Sequence, residues 1–250
     1  MIDVTRFPWA ILNIYFSRGD IMNSMPFSQE LQARIAKYDL LSHPFYKAWS
    51  AGELSRDDLR EYACQYYHHV AAFPTYLAQL AMRLEDGELR QAVLANMADE
   101  KGLNADEGSH VELWLDFAEG MGASRDLRRH QPVAEIRDLI AFFHHIASEG
   151  TPEEALAAFY SYESQIPRLA GEKARGLREM YAADEKACRY FALHTTADLY
   201  HAQIWRQQLE KRVESNPGAT EKALDAAEAA AGALWRALDG IEAMRLTPTA

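Results

Sequence analysis

Apolar residues along the chain recur at three- and four-residue intervals, and no run alternates with the period of two that marks a strand. A short amphipathic piece near 28–40 precedes one that opens at His43-Pro44 and stops by Gly52. Ser55, with Asp58 three residues on, begins a run to about Glu85, inside which Pro74 predicts a kink or break. Asp86-Gly87 is a turn, the next helix runs to about Lys101, and 102–106 read as a loop. A helix carrying His110, Trp114 and Phe117 then ends at Gly120 and Gly122, and Pro132 opens another that ends near Gly150. Thr151-Pro152-Glu153-Glu154 combines an N-cap, a first-turn proline and an acid, starting a helix that meets Pro167, where a second kink is predicted. The stretch from Asp184 to about Ser215 reads as long and amphipathic, Asn216-Pro217-Gly218 as a turn, and Thr220 to about Met244 as an Ala-rich closing helix. About seven helices without strands predict an all-α, single-domain helical bundle over 28–250, with 1–27 as an N-terminal extension or disordered arm.

Composition agrees with this outline and removes several functions. Only 13 Gly and 9 Pro occur in 250 residues, fewer turn-formers than average, which favours long helices. A net charge of −11 repels phosphate backbones, and no basic stripe offsets it, so nucleic acid is not an expected partner. Cys64 and Cys188 lack the spacing of a zinc or redox motif and suit a reducing compartment. The longest apolar stretch, Phe7 to Phe16, is too short to span a bilayer and leads to no signal-peptidase site, so a cytoplasmic protein without membrane attachment is expected.

Polar residues on apolar faces are the exception to this pattern. His194, Asp198 and His201 are spaced by four and three, which places them within an arc of about 60° on one helix face. Phe191 and Trp205 extend the same stripe. A carbonyl or hydroxyl can satisfy one such histidine, but two imidazoles and a carboxylate in one apolar seam fit a divalent cation better. Glu163 projects from a face with Phe159, Ile166 and Ala170, where it needs either a cation or an ion pair with Arg168 or Lys173. His110 shares its face with Trp114 and Phe117, and follows Asp99-Glu100 and Glu107, the last at the Glu-x-x-His spacing of di-iron bundles. Together these form a six-ligand set: His110, His194, His201, Asp198, Glu163 and either Glu100 or Glu107. Mixed histidine and carboxylate donors suit iron or manganese, and reduced iron there can activate O2, whereas zinc favours four tight ligands. Each of the pairs His68-His69 and His144-His145 can aim only one ring at any site, and both read as core or surface histidines.

The strings His43-Pro44-Phe45-Tyr46, Tyr62 through Phe73-Pro74, Asp99-Glu100, His110 through Trp114, Tyr160 through Arg168 and His194-x3-Asp198-x2-His201 resemble the haem-oxygenase-like di-metal oxidases. Within that family they are most similar to the branch of the chlamydial protein associating with death domains, over about residues 40–205. The resemblance implies that Glu100 is the carboxylate before His110, with Glu107 in reserve. It also implies an O2-dependent oxygenase that makes para-aminobenzoate for folate biosynthesis from its own tyrosine. Such an enzyme works at a pair of divalent metals, Fe/Fe or Fe/Mn, with an external reductant. The matching tyrosine is Tyr46, Lys173 matches the nitrogen donor, and Tyr62, Tyr66 and Tyr162 match relay or positioning residues. Ordinary packing of Tyr46 beside Phe45 and Trp49, and a solvated or ion-paired Lys173, are the structural alternatives. Three other functions fit less of the sequence: oxidation of a diffusible small molecule, a thiaminase-like hydrolase using Cys64 or Cys188, and a non-enzymatic module that binds a helical domain. A homodimer is the expected assembly.

Overall fold

The computed structural model describes residues 25–103 and 108–247, so Glu107 and nearly all of the expected N-terminal extension lie outside the described residues. Among the described residues the chain is all-α, without a strand. The helices are α1 (Phe27–Ala36), α2 (Pro44–Ala51), α3 (Arg56–Arg83), α4 (Glu88–Glu100), α5 (His110–Gly120), α6 (Ala134–Ser148), α7 (Pro152–Glu163), α8 (Ile166–Glu179), α9 (Glu185–His194), α10 (Ala197–Ser215) and α11 (Thr220–Leu246). Short 3-10 turns lie at Leu40–Ser42, Leu127–Arg129 and Pro217–Ala219. No helix among the described residues is long and apolar enough to cross a membrane.

Several helix ends form as their residues dictate. Ser55 and Asp58 make a reciprocal capping box at the start of α3, and Thr151 and Glu154 do the same for α7. Gly52 ends α2 at φ +73°, a left-handed conformation in which a side chain is strained. Pro74 causes no break, because α3 continues through it. The chain departs from expectation at two other points. The kink expected at Pro167 is a full break: α7 stops at Glu163, and Pro167 occupies the first turn of α8, where its missing N–H costs nothing.

The second break divides the 184–215 stretch at Thr195-Thr196, where the Thr195 hydroxyl donates to the Ala192 carbonyl (2.7 Å) and the Thr196 hydroxyl to the Leu193 carbonyl (3.2 Å). These hydroxyls compete with backbone N–H groups for carbonyls and loosen the ladder. His194 therefore ends α9 while Asp198 and His201 open α10, and the single stripe read from the sequence becomes two segments.

At the centre lies α7, in which every residue from Ala155 to Glu163 is buried. A helix apolar almost all round belongs in the middle of a bundle, here against α10 and α11. On α4 the buried positions are Leu89, Val93, Asn96 and Glu100, a 4-3-4 stripe whose last two members are polar. Gly176 on α8 allows Trp49 of α2 to approach closely, since a Cβ there would come within 2.9 Å of the indole. That contact brings the Tyr46 face of α2 onto the Lys173 face of α8.

Candidate metal centre and tyrosine–lysine site

Each of the six expected donors is buried, and they assemble as two triplets whose donor atoms lie within 4.8 Å of one another. Glu100, His110 and His194 form the first, and Glu163, Asp198 and His201 the second. One small cavity is lined by Glu100 and His194 of the first triplet together with Glu163 and Asp198 of the second.

Unpartnered atoms in both triplets suit a cation. His110 Nδ1, Asp198 Oδ2 and His201 Nδ1 are buried without a hydrogen-bond partner, which native proteins rarely tolerate. His110 Nδ1 lies 2.9 Å from Glu100 Oε2 without hydrogen-bond alignment, as two lone pairs aimed at one point would. In His194 the Nδ1 proton is directed at the Tyr190 carbonyl, 2.6 Å away, which leaves Nε2 as the donor nitrogen. Glu163 is held differently from the expected ion pair: Asn96 Nδ2 donates to its Oε1 (3.1 Å) and the Trp205 indole N–H to its Oε2. Arg168 pairs instead with Asp39 on the surface.

Without a cation these groups can compensate one another only by shifting protons, as between Glu100, whose pKa is lowered, and His110, whose pKa is raised. Burial pushes Glu163 above the usual carboxylate range, opposed by His201 and reinforced by Asp198 and Glu100. Burial pulls His201 down, yet the carboxylates of Asp198, Glu163 and Asp99 outweigh it and raise its pKa. Glu100 is likewise pushed up by burial but held below its ordinary value by His110, His194 and His201. Oxygen and imidazole donors of this kind fit iron or manganese.

Next to this centre is a second buried group. Lys173 Nζ donates to the Tyr46 hydroxyl (2.9 Å) and to that of Tyr62, and the two phenols are themselves 2.9 Å apart. The rings of Tyr46, Tyr62, Phe191, Trp49 and Tyr66 surround the amine at 4.3 to 5.8 Å. Burial in this aromatic box lowers the Lys173 pKa far below that of an ordinary lysine. Lys173 is thus neither a solvated side chain nor the partner of Glu163. His43 fixes the start of α2: its Nδ1 accepts the Phe45 N–H and its Nε2–H donates to Asp239 of α11.

Tyr162 and Tyr190 line both the cavity beside the triplets and a second cavity beside Lys173. Burial raises Tyr66 and Tyr190 above an ordinary phenol, and a hydrogen bond with Tyr162 pulls each back. Tyr190 is not among the residues read from the sequence. Its position four residues before His194, on that residue's face, is the signal that marks it.

This geometry accompanies clear relationships to known proteins. A family described as iron-containing redox enzymes, of haem-oxygenase type, matches residues 60–235. The chain belongs to this haem-oxygenase-like family. Its relatives include proteins named 4-aminobenzoate synthase. That of Nitrosomonas europaea is 36% identical over 231 residues, 88% of this chain and 92% of its own length. That of Chlamydia pneumoniae is 34% identical over 210 residues, 83% and 91% of the two chains. A haem-oxygenase-like domain from Shewanella denitrificans superposes with a TM-score of 0.75 at 17% identity, covering 88% of this chain and 94% of its own. A CADD-like protein of unknown function from Nostoc punctiforme superposes with a TM-score of 0.65 at 15% identity, covering 89% and 97%.

Within this haem-oxygenase-like fold the thiols are poorly placed for hydrolysis. Neither Cys64 nor Cys188 lines the two cavities described above, and burial pushes both thiols up, Cys64 to about 11.

His69, read from the sequence as core or surface, is fully buried among Tyr162, Phe143 and Tyr66, at ring separations of 5.0, 5.2 and 5.4 Å. Neither of its nitrogens has a partner, and burial lowers its pKa to about 3. The unfolded chain takes up a proton below about pH 6.5 that the folded chain refuses, so stability is lost as pH falls from that point. In metal-free protein, replacing His69 with Leu is expected to reduce the loss of stability between about pH 7.5 and about pH 5 by up to about 2 kcal/mol. Urea unfolding at the two pH values checks this, and equal losses in both proteins would remove His69 as the cause.

Proposed function

We propose that the protein makes 4-aminobenzoate for folate biosynthesis by oxidising its own Tyr46 with O2 beside a pair of divalent cations. The observation that carries this reading is the Lys173 amine, buried and 2.9 Å from the Tyr46 phenol oxygen. In 4-aminobenzoate the nitrogen stands para to the carboxylate carbon, as the phenol oxygen of tyrosine stands para to Cβ. Lys173 therefore lies at the ring position where the product carries nitrogen. The names of the relatives at 34 and 36% identity support the same product.

In this reading Glu100, His110 and His194 hold one cation and Glu163, Asp198 and His201 the other, as Fe/Fe or Fe/Mn. The bound pair, with electrons from an external reductant, supplies the activation of O2. The other roles belong to side chains. Asn96 and Trp205 orient Glu163, and the Tyr190 carbonyl orients His194. Burial keeps the phenols of Tyr66, Tyr162 and Tyr190 protonated at neutral pH, so each can give up an electron and a proton together. Tyr162 borders the cavity of the two triplets and contacts Tyr66, which stacks on Tyr62 at 5.6 Å, whose hydroxyl meets that of Tyr46. This line of phenols leads from the donors to the substrate ring. Burial disfavours the charged form of the Lys173 amine and so favours it as a nucleophile, and presenting the substrate within the chain removes the entropy cost of capturing it.

Peptide-resolved mass spectrometry on iron-loaded, reduced protein, before and after one exposure to O2, tests the reading. Side-chain loss at Tyr46 together with a change at Lys173 is expected. An unchanged polypeptide that still consumes O2 would point to a diffusible substrate instead.

A further inference from the structure

The last turn of α4 serves both triplets. Glu100 turns into the first, and its neighbour Asp99, about 100° around the helix, faces α10 with Oδ2 at 3.2 Å from His201 Nε2. An imidazole can bind a cation through one nitrogen only while its proton sits on the other. A carboxylate oxygen can only accept, so Asp99 keeps the proton on Nε2 and leaves His201 Nδ1, buried and unpartnered, facing Asp198 and Glu163.

His194 in the first triplet is arranged in the opposite sense. Its Nδ1 is held by a backbone carbonyl, which no substitution removes. The Asp99 side chain is 36% exposed, whereas the His201 side chain is 4% exposed, and both line a pocket with Ala92, Ala95, Tyr200 and Ile204. His194 and His201 thus differ in what backs them: a fixed carbonyl for His194, a carboxylate near solvent for His201.

We propose that Asp99 is a positioning residue for the second cation alone, fixing the tautomer and raising the basicity of His201 so that the Glu163–Asp198–His201 triplet binds its ion independently of the first. The inference rests on the reading of the triplets as a two-cation centre. Outer partners of this kind are worth about 10- to 100-fold in metal affinity.

The test is a titration of Mn(II) into metal-free wild-type, Asp99→Asn and Asp99→Leu proteins, following the free ion by electron paramagnetic resonance. Wild type is expected to take up two ions per chain. Asp99→Leu, which removes the acceptor, is expected to keep one ion at wild-type affinity and to bind the other about 10- to 100-fold more weakly. Asp99→Asn retains an acceptor oxygen but no charge and is expected to fall between them. Its near-identical shape keeps the comparison informative if the Leu variant folds poorly. Two ions bound by the Asn and Leu variants as tightly as by wild type would overturn the role of Asp99, as would equal weakening of both ions. Fewer than two ions in wild type would overturn the two-cation reading itself, and the inference with it.

Discussion

Replacing Tyr46 with Phe is expected to reduce 4-aminobenzoate to below detection while leaving two cations bound per chain. The substitution removes one oxygen from a side chain that is 2% exposed and keeps its ring in place. Two hydrogen bonds of 2.9 Å are lost, one to Tyr62 and one to Lys173, but these two groups still bond to each other. The stability cost is therefore modest, about 1–2 kcal/mol. The chemical cost is complete, because a ring without a phenol oxygen is far harder to oxidise by one electron and offers no carbon–oxygen bond for nitrogen to replace. Product analysis after exposure of the reduced, iron-loaded protein to O2, beside metal content, checks both halves. Product from the Phe variant at wild-type yield would exclude Tyr46 as its source.

Loss of Lys173 should separate activity from stability. Lys173→Met keeps an unbranched apolar stem as far as Cε but removes the amine from its aromatic box. Product is expected to fall to background, while the metal-free protein unfolds no earlier than wild type. Burial holds the Lys173 pKa well below its value of about 10.4 in an unfolded chain. Below that value the unfolded chain binds a proton that the folded chain does not, so wild-type stability declines as pH falls through this window until the folded pKa is reached. The Met variant lacks this penalty, and its advantage should grow by up to about 1.4 kcal/mol for each pH unit lowered. Denaturation series near pH 9 and near pH 6 read the difference. A gap that does not change with pH would mean that the native amine is protonated, and a protonated amine is no nucleophile.

The helices and the buried polar positions were legible in the sequence because both depend on spacing along one chain. Capping residues at Ser55 and Thr151, the left-handed stop at Gly52 and the 3.6-residue period are local features, and they appear where the residues place them. The two buried triplets were legible for the same reason: a carboxylate or imidazole on an apolar face has no local partner, so its partner must come from elsewhere in the fold. The burial of Glu100 was also latent in a local pattern, since Leu89, Val93, Asn96 and Glu100 form one buried stripe.

Tertiary structure decided how those donors are divided. His194, Asp198 and His201 look like one unit on an ideal helix, but the Thr195 and Thr196 hydroxyls open the ladder between them and send His194 to Glu100 and His110. The sequence allowed Lys173 to be a partner for Glu163, and packing of Trp49 against Gly176 delivers it to Tyr46 and Tyr62 instead. The isolation of His69 and the contact of Asp99 with His201 likewise depend on which helices meet. Periodicity determines which side chains leave water, because it is a property of each helix alone. Their partners are set by the angles and breaks between helices, where a single competing hydroxyl or a missing Cβ decides the outcome.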